Sequence, residues 1–156
     1  MLRLSLLRSP EWPDPHADEG HHEFTYSLYP HGGGWRDALT VRRGYELNYP
    51  LIAIAAQPHA GPLPPTQSLF SADAENVVIS SIKKEEDGDS LSLRFYEWAG
   101  RKTDVHLSVP AGLKVGEETN LIENAGNRPS SAAGGQTAVV TVNPYEIKTV
   151  RLDRVQ

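Results

Sequence analysis

Cysteine is absent from this chain of 156 residues. Disulfides and thiolate metal sites are therefore excluded, and the absence suits a cytoplasmic compartment. Long apolar runs are missing too. No stretch approaches the ~20 residues a membrane helix needs, so no membrane partner is expected. The opening Met1-Leu2-Arg3-Leu4-Ser5-Leu6-Leu7-Arg8 is interrupted too soon for a signal peptide. Positive charge is in the minority: 15 Lys and Arg stand against 20 Asp and Glu, for a net charge of −5. With no basic stripe, no nucleic-acid partner is expected. No serine sits in a Gly-x-Ser-x-Gly context. Gly32-Gly33-Gly34 is not followed by the Lys-Ser/Thr pair of a phosphate loop.

What is present points to short strands and many turns. The chain carries 13 Gly and 12 Pro, and its apolar content of 38% is enough for a core at this length. Leu2, Leu4 and Leu6 alternate with Arg3, Ser5 and Leu7, as in a strand with one buried face. On that reading, an aspartate at Leu4 prevents folding. Pro10, Pro13 and Pro15 interrupt regular structure. A second strand is expected from Glu23, with Phe24, Tyr26 and Leu28 on one face. Trp35 to Asn48 is the one fair helix candidate, although Thr40, Val41 and Gly44 weaken it. Leu51 to Ala55 suits a short strand.

Beyond Ser68 the pattern is cleaner. Strands are expected over Val77–Ile82, Leu91–Glu97, Val105–Val109, Thr119–Glu123, Ala138–Val142 and Glu146–Leu152, with Asp87-Gly88 supplying a turn. In the last run Ile147 falls on one face and Val150 and Leu152 on the other, which hints at a bulge. Residues 124–136 read as a polar loop. The expected fold is all-β: one antiparallel β-sandwich domain over residues 1–156, with at most one short helix.

The richest polar constellation is Arg8, Asp14, His16, Asp18, His21, His22 and His31. A structural reading pairs Arg8 with Asp14 or Asp18 to pin the Pro-rich loop. A metal reading uses Asp and His as ligands, but the spacing is not diagnostic, and Pro15 keeps Asp14 and Asp18 off one helix face. A third reading makes the segment a loop facing a ligand held mainly by another domain. Glycoside hydrolysis needs two carboxylates about 5–9 Å apart. Asp14 with Asp18, or Glu85 with Glu86, satisfies that only as weakly as any acidic pair in an acidic chain. Tyr96 and Trp98 lie two apart on an expected strand and so share a face. Exposed, they would stack on a sugar; buried, they are core or interface aromatics, the commoner state for large rings. Trp12 is the better exposed candidate.

Several blocks of sequence also resemble a known family. They are Leu2 to Pro10, Pro13-Asp14, Ala17-Asp18, Gly20, His22 to Tyr26, Leu28 and Pro30-His31. The likeness continues through Trp35 to Ala38, Tyr45 to Asn48 and Pro50-Leu51. It resumes at Glu75 to Ser80, Ile82 to Lys84, Asp87-Gly88, Leu93-Arg94, Tyr96-Glu97 and Asn143 to Thr149. Together they resemble the C-terminal region of glycoside hydrolase family 38, the α-mannosidases, and more closely the cytosolic, vacuolar and bacterial branch.

The resemblance implies that catalysis belongs to an N-terminal catalytic domain outside this chain. That domain would supply the nucleophile, the acid/base carboxylate and the ligands of a divalent metal, zinc or cobalt. It would also hydrolyse terminal α-linked mannose with retention. This chain would bind no cofactor itself. Its partners would be that catalytic domain and a mannoside substrate, and the parent could be a homo-oligomer. Arg8, Asp14, Asp18 and His22 match the family pattern. The resemblance implies that their loop, residues 8–22, lies at the active-site rim, orienting metal ligands or binding sugar hydroxyls, with none of them catalytic. Two alternatives stand beside this reading: a carbohydrate-binding module resting on Trp12, Tyr96 and Trp98, and a structural domain required only for assembly.

Overall fold

A computed structural model of the chain describes residues 1, 3–126 and 135–155. The chain divides into two compact units, Met1–Ile52 and Ala53–Gln156. Residues 127–134, within the polar loop expected over 124–136, lie outside the described residues.

The second unit is the sandwich. Its strands are β1 (Ser71–Ala72), β2 (Val77–Lys84), β3 (Leu91–Glu97), β4 (Thr103–Ser108), β5 (Leu113–Thr119), β6 (Thr137–Val142) and β7 (Ile147–Arg154). They form two antiparallel sheets, ordered β1-β4-β6 and β2-β3-β7-β5. Side-chain alternation decides which face is buried. In β4, Val105 and Leu107 are buried while Asp104 and His106 are exposed. Opposite them in β6 lie Val140 and Ala138. Leu93 pairs with Val150, and Leu91 with Leu152. These apolar positions meet Phe95, Val115 and Val142 in one core cluster.

The hairpin joining β2 to β3 closes where the Glu85 N–H donates to the Ser90 carbonyl, 3.0 Å away, with Gly88 at φ 131°. Two irregularities bend the four-stranded sheet. Ser80 is an extra residue in β2 between Ile79 and Ser81. In β5 the register shifts between Val115 and Glu118, so Gly116 and Glu117 together oppose Arg151. A Cβ at Gly116 would stand 2.6 Å from Asp153 Oδ2, so the bulge takes a residue without one.

Two expectations for this unit are corrected, and one long strand lies where none is expected. The bulge lies in β5 and not in the terminal strand, whose pairing with β3 is uninterrupted from Leu91–Leu152 to Tyr96–Ile147. Residues 120–123, most of the strand expected over Thr119–Glu123, are not a strand. β5 ends at Thr119, and the Asn120 side chain then accepts the N–H groups of Ile122 and Asn124 and turns the chain. The alternation of Leu113–Thr119 is hidden in the sequence by Lys114, Gly116, Glu117 and Glu118.

The first unit contains α1 (Thr40–Asn48), shorter than the Trp35–Asn48 expectation. Leu39 at φ 52° turns the chain immediately before it. The segments around Leu4 and around Tyr26 are extended but lie in no sheet, and neither does Leu51–Ala55. Leu4 is 65% exposed, so it has no buried face. Alternation prepares a strand, but a strand exists only when a second backbone takes its N–H and C=O groups.

Candidate functional site

The loop from Arg8 to His22 is held by its own backbone and by Asp18. The Ser9 N–H donates to Asp18 Oδ2 at 3.1 Å, and His22 Nε2 lies 2.8 Å from the Asp18 carbonyl. A carbonyl only accepts, so that imidazole nitrogen carries the proton. Asp18 itself sits at φ 61°, a left-handed conformation aspartate tolerates. Asp14 closes a smaller turn: its Oδ1 accepts the His16 N–H at 2.9 Å and its carbonyl accepts the Ala17 N–H. His16 Nδ1 lies 2.9 Å from Glu19 Oε1. The His22 ring stacks on Phe24 with centroids 5.9 Å apart.

Arg8, Asp14, Asp18 and His22 are all exposed, and Trp12 is 80% exposed. Arg8 makes no ion pair among the described residues. The loop is thus pinned by aspartates accepting backbone N–H groups, and the pairing of Arg8 with Asp14 or Asp18 does not form. Asp14 and Asp18 each spend one oxygen on the turn, and both residues are exposed. Among the described residues no three His, Asp or Glu side chains are placed to hold a metal ion.

Tyr96 is half-buried on β3. Trp98 lies just past the end of β3 and is 6% exposed, with its indole Nε1–H donating to the Glu75 carbonyl at 3.3 Å. It therefore offers no open ring face to a sugar.

Two polar clusters lie in the sandwich, and from the sequence only Glu85 and Glu86 of the second stand out, as an acidic pair. The first centres on Glu97, which is 1% exposed. Its carboxylate accepts from the Asn76 amide at 2.8 Å, from the Ala99 and Gly100 N–H groups at 2.7 Å, and from the Tyr145 N–H at 3.0 Å. Burial pushes this carboxyl up. The Tyr145 N–H, the Asn76 amide and the N–H groups of Ala99 and Gly100 outweigh that and hold it below its ordinary range. The second lies at a shallow cleft of about 220 Å³ whose lining includes Glu85, Glu86, Glu123 and Arg151. Arg151 Nε donates to both oxygens of buried Glu85 at 3.0 Å, and its Nη1 to Glu117 at 2.7 Å. Lys83 Nζ is 2.6 Å from Glu123 Oε1, a pairing that raises the lysine pKa. Glu85 is thus neutralised by Arg151, while Glu86 stays exposed. The Glu85–Arg151 pair braces the turn that follows β2 against β7. The signal was there in both cases: a glutamate inside an apolar strand run, and an arginine in the terminal strand, both need partners once buried.

This arrangement converges with known sequences. Residues 76–150 match the family model described as "Glycosyl hydrolases family 38 C-terminal beta sandwich domain". The match begins at Asn76 and takes in Glu97 and Tyr145, three of the residues that build the buried network. The chain belongs to glycosyl hydrolase family 38. Alpha-mannosidase 2C1 of Homo sapiens is 45% identical over 116 residues, covering 70% of this chain and 11% of the human protein. Alpha-mannosidase G of Dictyostelium discoideum is 35% identical over 159 residues, covering 96% of this chain and 14% of that protein. Alpha-mannosidase of Saccharomyces cerevisiae is 31% identical over 172 residues, covering 97% and 16%. The family 38 chain therefore spans only a small share of the length of these relatives. Its first unit lies outside the matched sandwich, yet it aligns with the Dictyostelium and yeast proteins. No helix among its described residues is long and apolar enough to cross a membrane.

Proposed function

We propose that this chain is the C-terminal part of a retaining α-mannosidase that hydrolyses terminal α-linked mannose. In that reading it packs on the catalytic part of the same enzyme and lends residues 8–22 to the rim of the active site. The observation that carries it is the alignment of nearly the whole chain with proteins named alpha-mannosidases, at 31–35% identity over 96–97% of its residues. The loop geometry agrees. Arg8, Trp12, Asp14 and Asp18 are all exposed, and the turn's hydrogen bonds use one oxygen each of the two aspartates and neither Arg8 nor Trp12. Retention needs a nucleophile and an acid/base carboxylate about 5–5.5 Å apart. Glu85 and Glu97 are committed to Arg151 and to backbone N–H groups, so the catalytic part would contribute that pair, together with any metal. The absence of cysteine suits a cytoplasmic enzyme.

The test is a chimera in which this chain replaces the matching C-terminal part of Dictyostelium discoideum Alpha-mannosidase G. It is expected to hydrolyse a nitrophenyl α-mannoside and release the α-anomer first, as seen by proton NMR. Arg8→Ala and Asp18→Ala should lower the chimera's kcat/KM on that mannoside. A folded but inactive chimera would sink the proposal. Trp12 favours a second reading, a sugar contact made by this chain alone; saturable binding of methyl α-mannoside to the isolated chain, lost in Trp12→Ala, would support it.

A further inference from the structure

The first unit holds two extended segments, residues 3–8 and 23–29, that end on the Asp18-pinned loop. Both alternate. Leu4 and Leu6 share one face of the first segment, and Phe24, Tyr26 and Leu28 share one face of the second. Those side chains are left in solvent: Leu4 is 65% exposed, Leu6 48%, Phe24 45%, Tyr26 69% and Leu28 75%. Neither segment enters a sheet, and among the described residues no backbone hydrogen bond joins either one to another strand. Their ends are nonetheless fixed. The bond from the Ser9 N–H to Asp18 ties the end of the first, and the bond from His22 to the Asp18 carbonyl ties the start of the second. Two such segments on a closed turn present open rows of N–H and C=O groups and an apolar stripe each, which is what strand addition uses.

The occupant follows from the alignments. The sandwich match stops short of these segments, covering residues 76–150 only. Relatives that align with 96–97% of the chain give it just 14–16% of their own length. The segments therefore have counterparts in polypeptides that are mostly something other than this chain. We infer that residues 3–8 and 23–29 are strands donated to a sheet of the catalytic part of the same polypeptide, with the loop 9–22 carried between them. The inference rests on the proposed α-mannosidase reading and names the element that would do the docking. Backbone pairing would supply affinity, and the Leu4/Leu6 and Phe24/Tyr26/Leu28 stripes would set register.

Hydrogen–deuterium exchange tests it, on the chain alone at two concentrations and on the Dictyostelium chimera. The amides of residues 3–8 and 23–29 should exchange at near-random-coil rates in the isolated chain at both concentrations. In the chimera they should slow by at least about 100-fold, in an alternating pattern. Protection in the isolated chain overturns the inference: at both concentrations it means the segments pair with each other, and at the higher one alone it means a second copy is the partner. Unchanged fast exchange in the chimera also overturns it. Should the chimera fail to fold, the aligned segments of intact Alpha-mannosidase G are measured instead, and fast exchange there is equally fatal. An active chimera with unprotected segments leaves the enzyme reading standing and removes this one. Protected segments in an inactive chimera do the reverse.

Discussion

The Tyr145 hydroxyl lies 2.6 Å from the point where a Cβ on Gly100 would stand. Gly100 has φ 79° and Tyr145 φ 58°, so two left-handed residues face each other across the turns that follow β3 and β6. Beneath them Glu97 accepts the N–H groups of both. One carboxylate thereby fixes two turns and, through Asn76, the chain just before β2.

Gly100→Ala should therefore destabilise the sandwich by roughly 2–4 kcal/mol, combining left-handed strain with displacement of the Tyr145 ring. Gly100→Ala with Tyr145→Ala should recover the steric share and leave the backbone share. Urea denaturation of the single and double variants checks this.

Glu97→Ala should cost about 3 kcal/mol or more, because it strips the acceptor from the Asn76 amide and three backbone N–H groups. The pH dependence has a definite sign. The native Glu97 carboxyl is held below its ordinary value, so its stabilisation is complete above the unfolded carboxylate range. It is lost as pH falls through the lowered native pKa. Melting temperatures of wild type and Glu97→Gln should diverge at neutral pH and converge in acid.

Arg151→Ala should cost about 3–5 kcal/mol by stranding the buried Glu85 carboxylate. Glu85→Gln combined with Arg151→Met should be clearly milder than Arg151→Ala alone. A double-mutant cycle by thermal melting reads the coupling.

Leu4→Asp should leave the melting of the isolated chain within about 0.5 kcal/mol of wild type, since Leu4 is exposed. Phe95→Ala, at a fully buried position, should cost about 3–5 kcal/mol. The contrast between these two positions separates the two units energetically.

Much of the sandwich was legible before folding. Val105 and Leu107, Val140 and Val142, and Val150 and Leu152 sit at period two between turn residues, and such runs bury one face wherever a second sheet covers them. β5 was not legible, because a bulge at Gly116 and a run of charged residues destroy the alternation that reveals a strand. The candidate loop was legible as a dense polar stretch. Its hydrogen bonds were not, because an aspartate that accepts a neighbouring N–H looks in sequence like one that pairs with arginine.

By itself the sequence determined the local terms: which residues can face a core, where Gly and Pro turn the chain, and where charge accumulates. It also carried the family likeness. Tertiary structure alone decided which of these possibilities found partners. Glu97 became the keystone of two turns because chain segments 48 residues apart meet there, its carboxylate accepting the N–H groups of both Gly100 and Tyr145. Leu4 and Tyr26, with the same alternation as Leu93 and Phe95, remained in solvent. Alternation is a property of one strand, but pairing and burial belong to at least two, and a single segment does not specify the second.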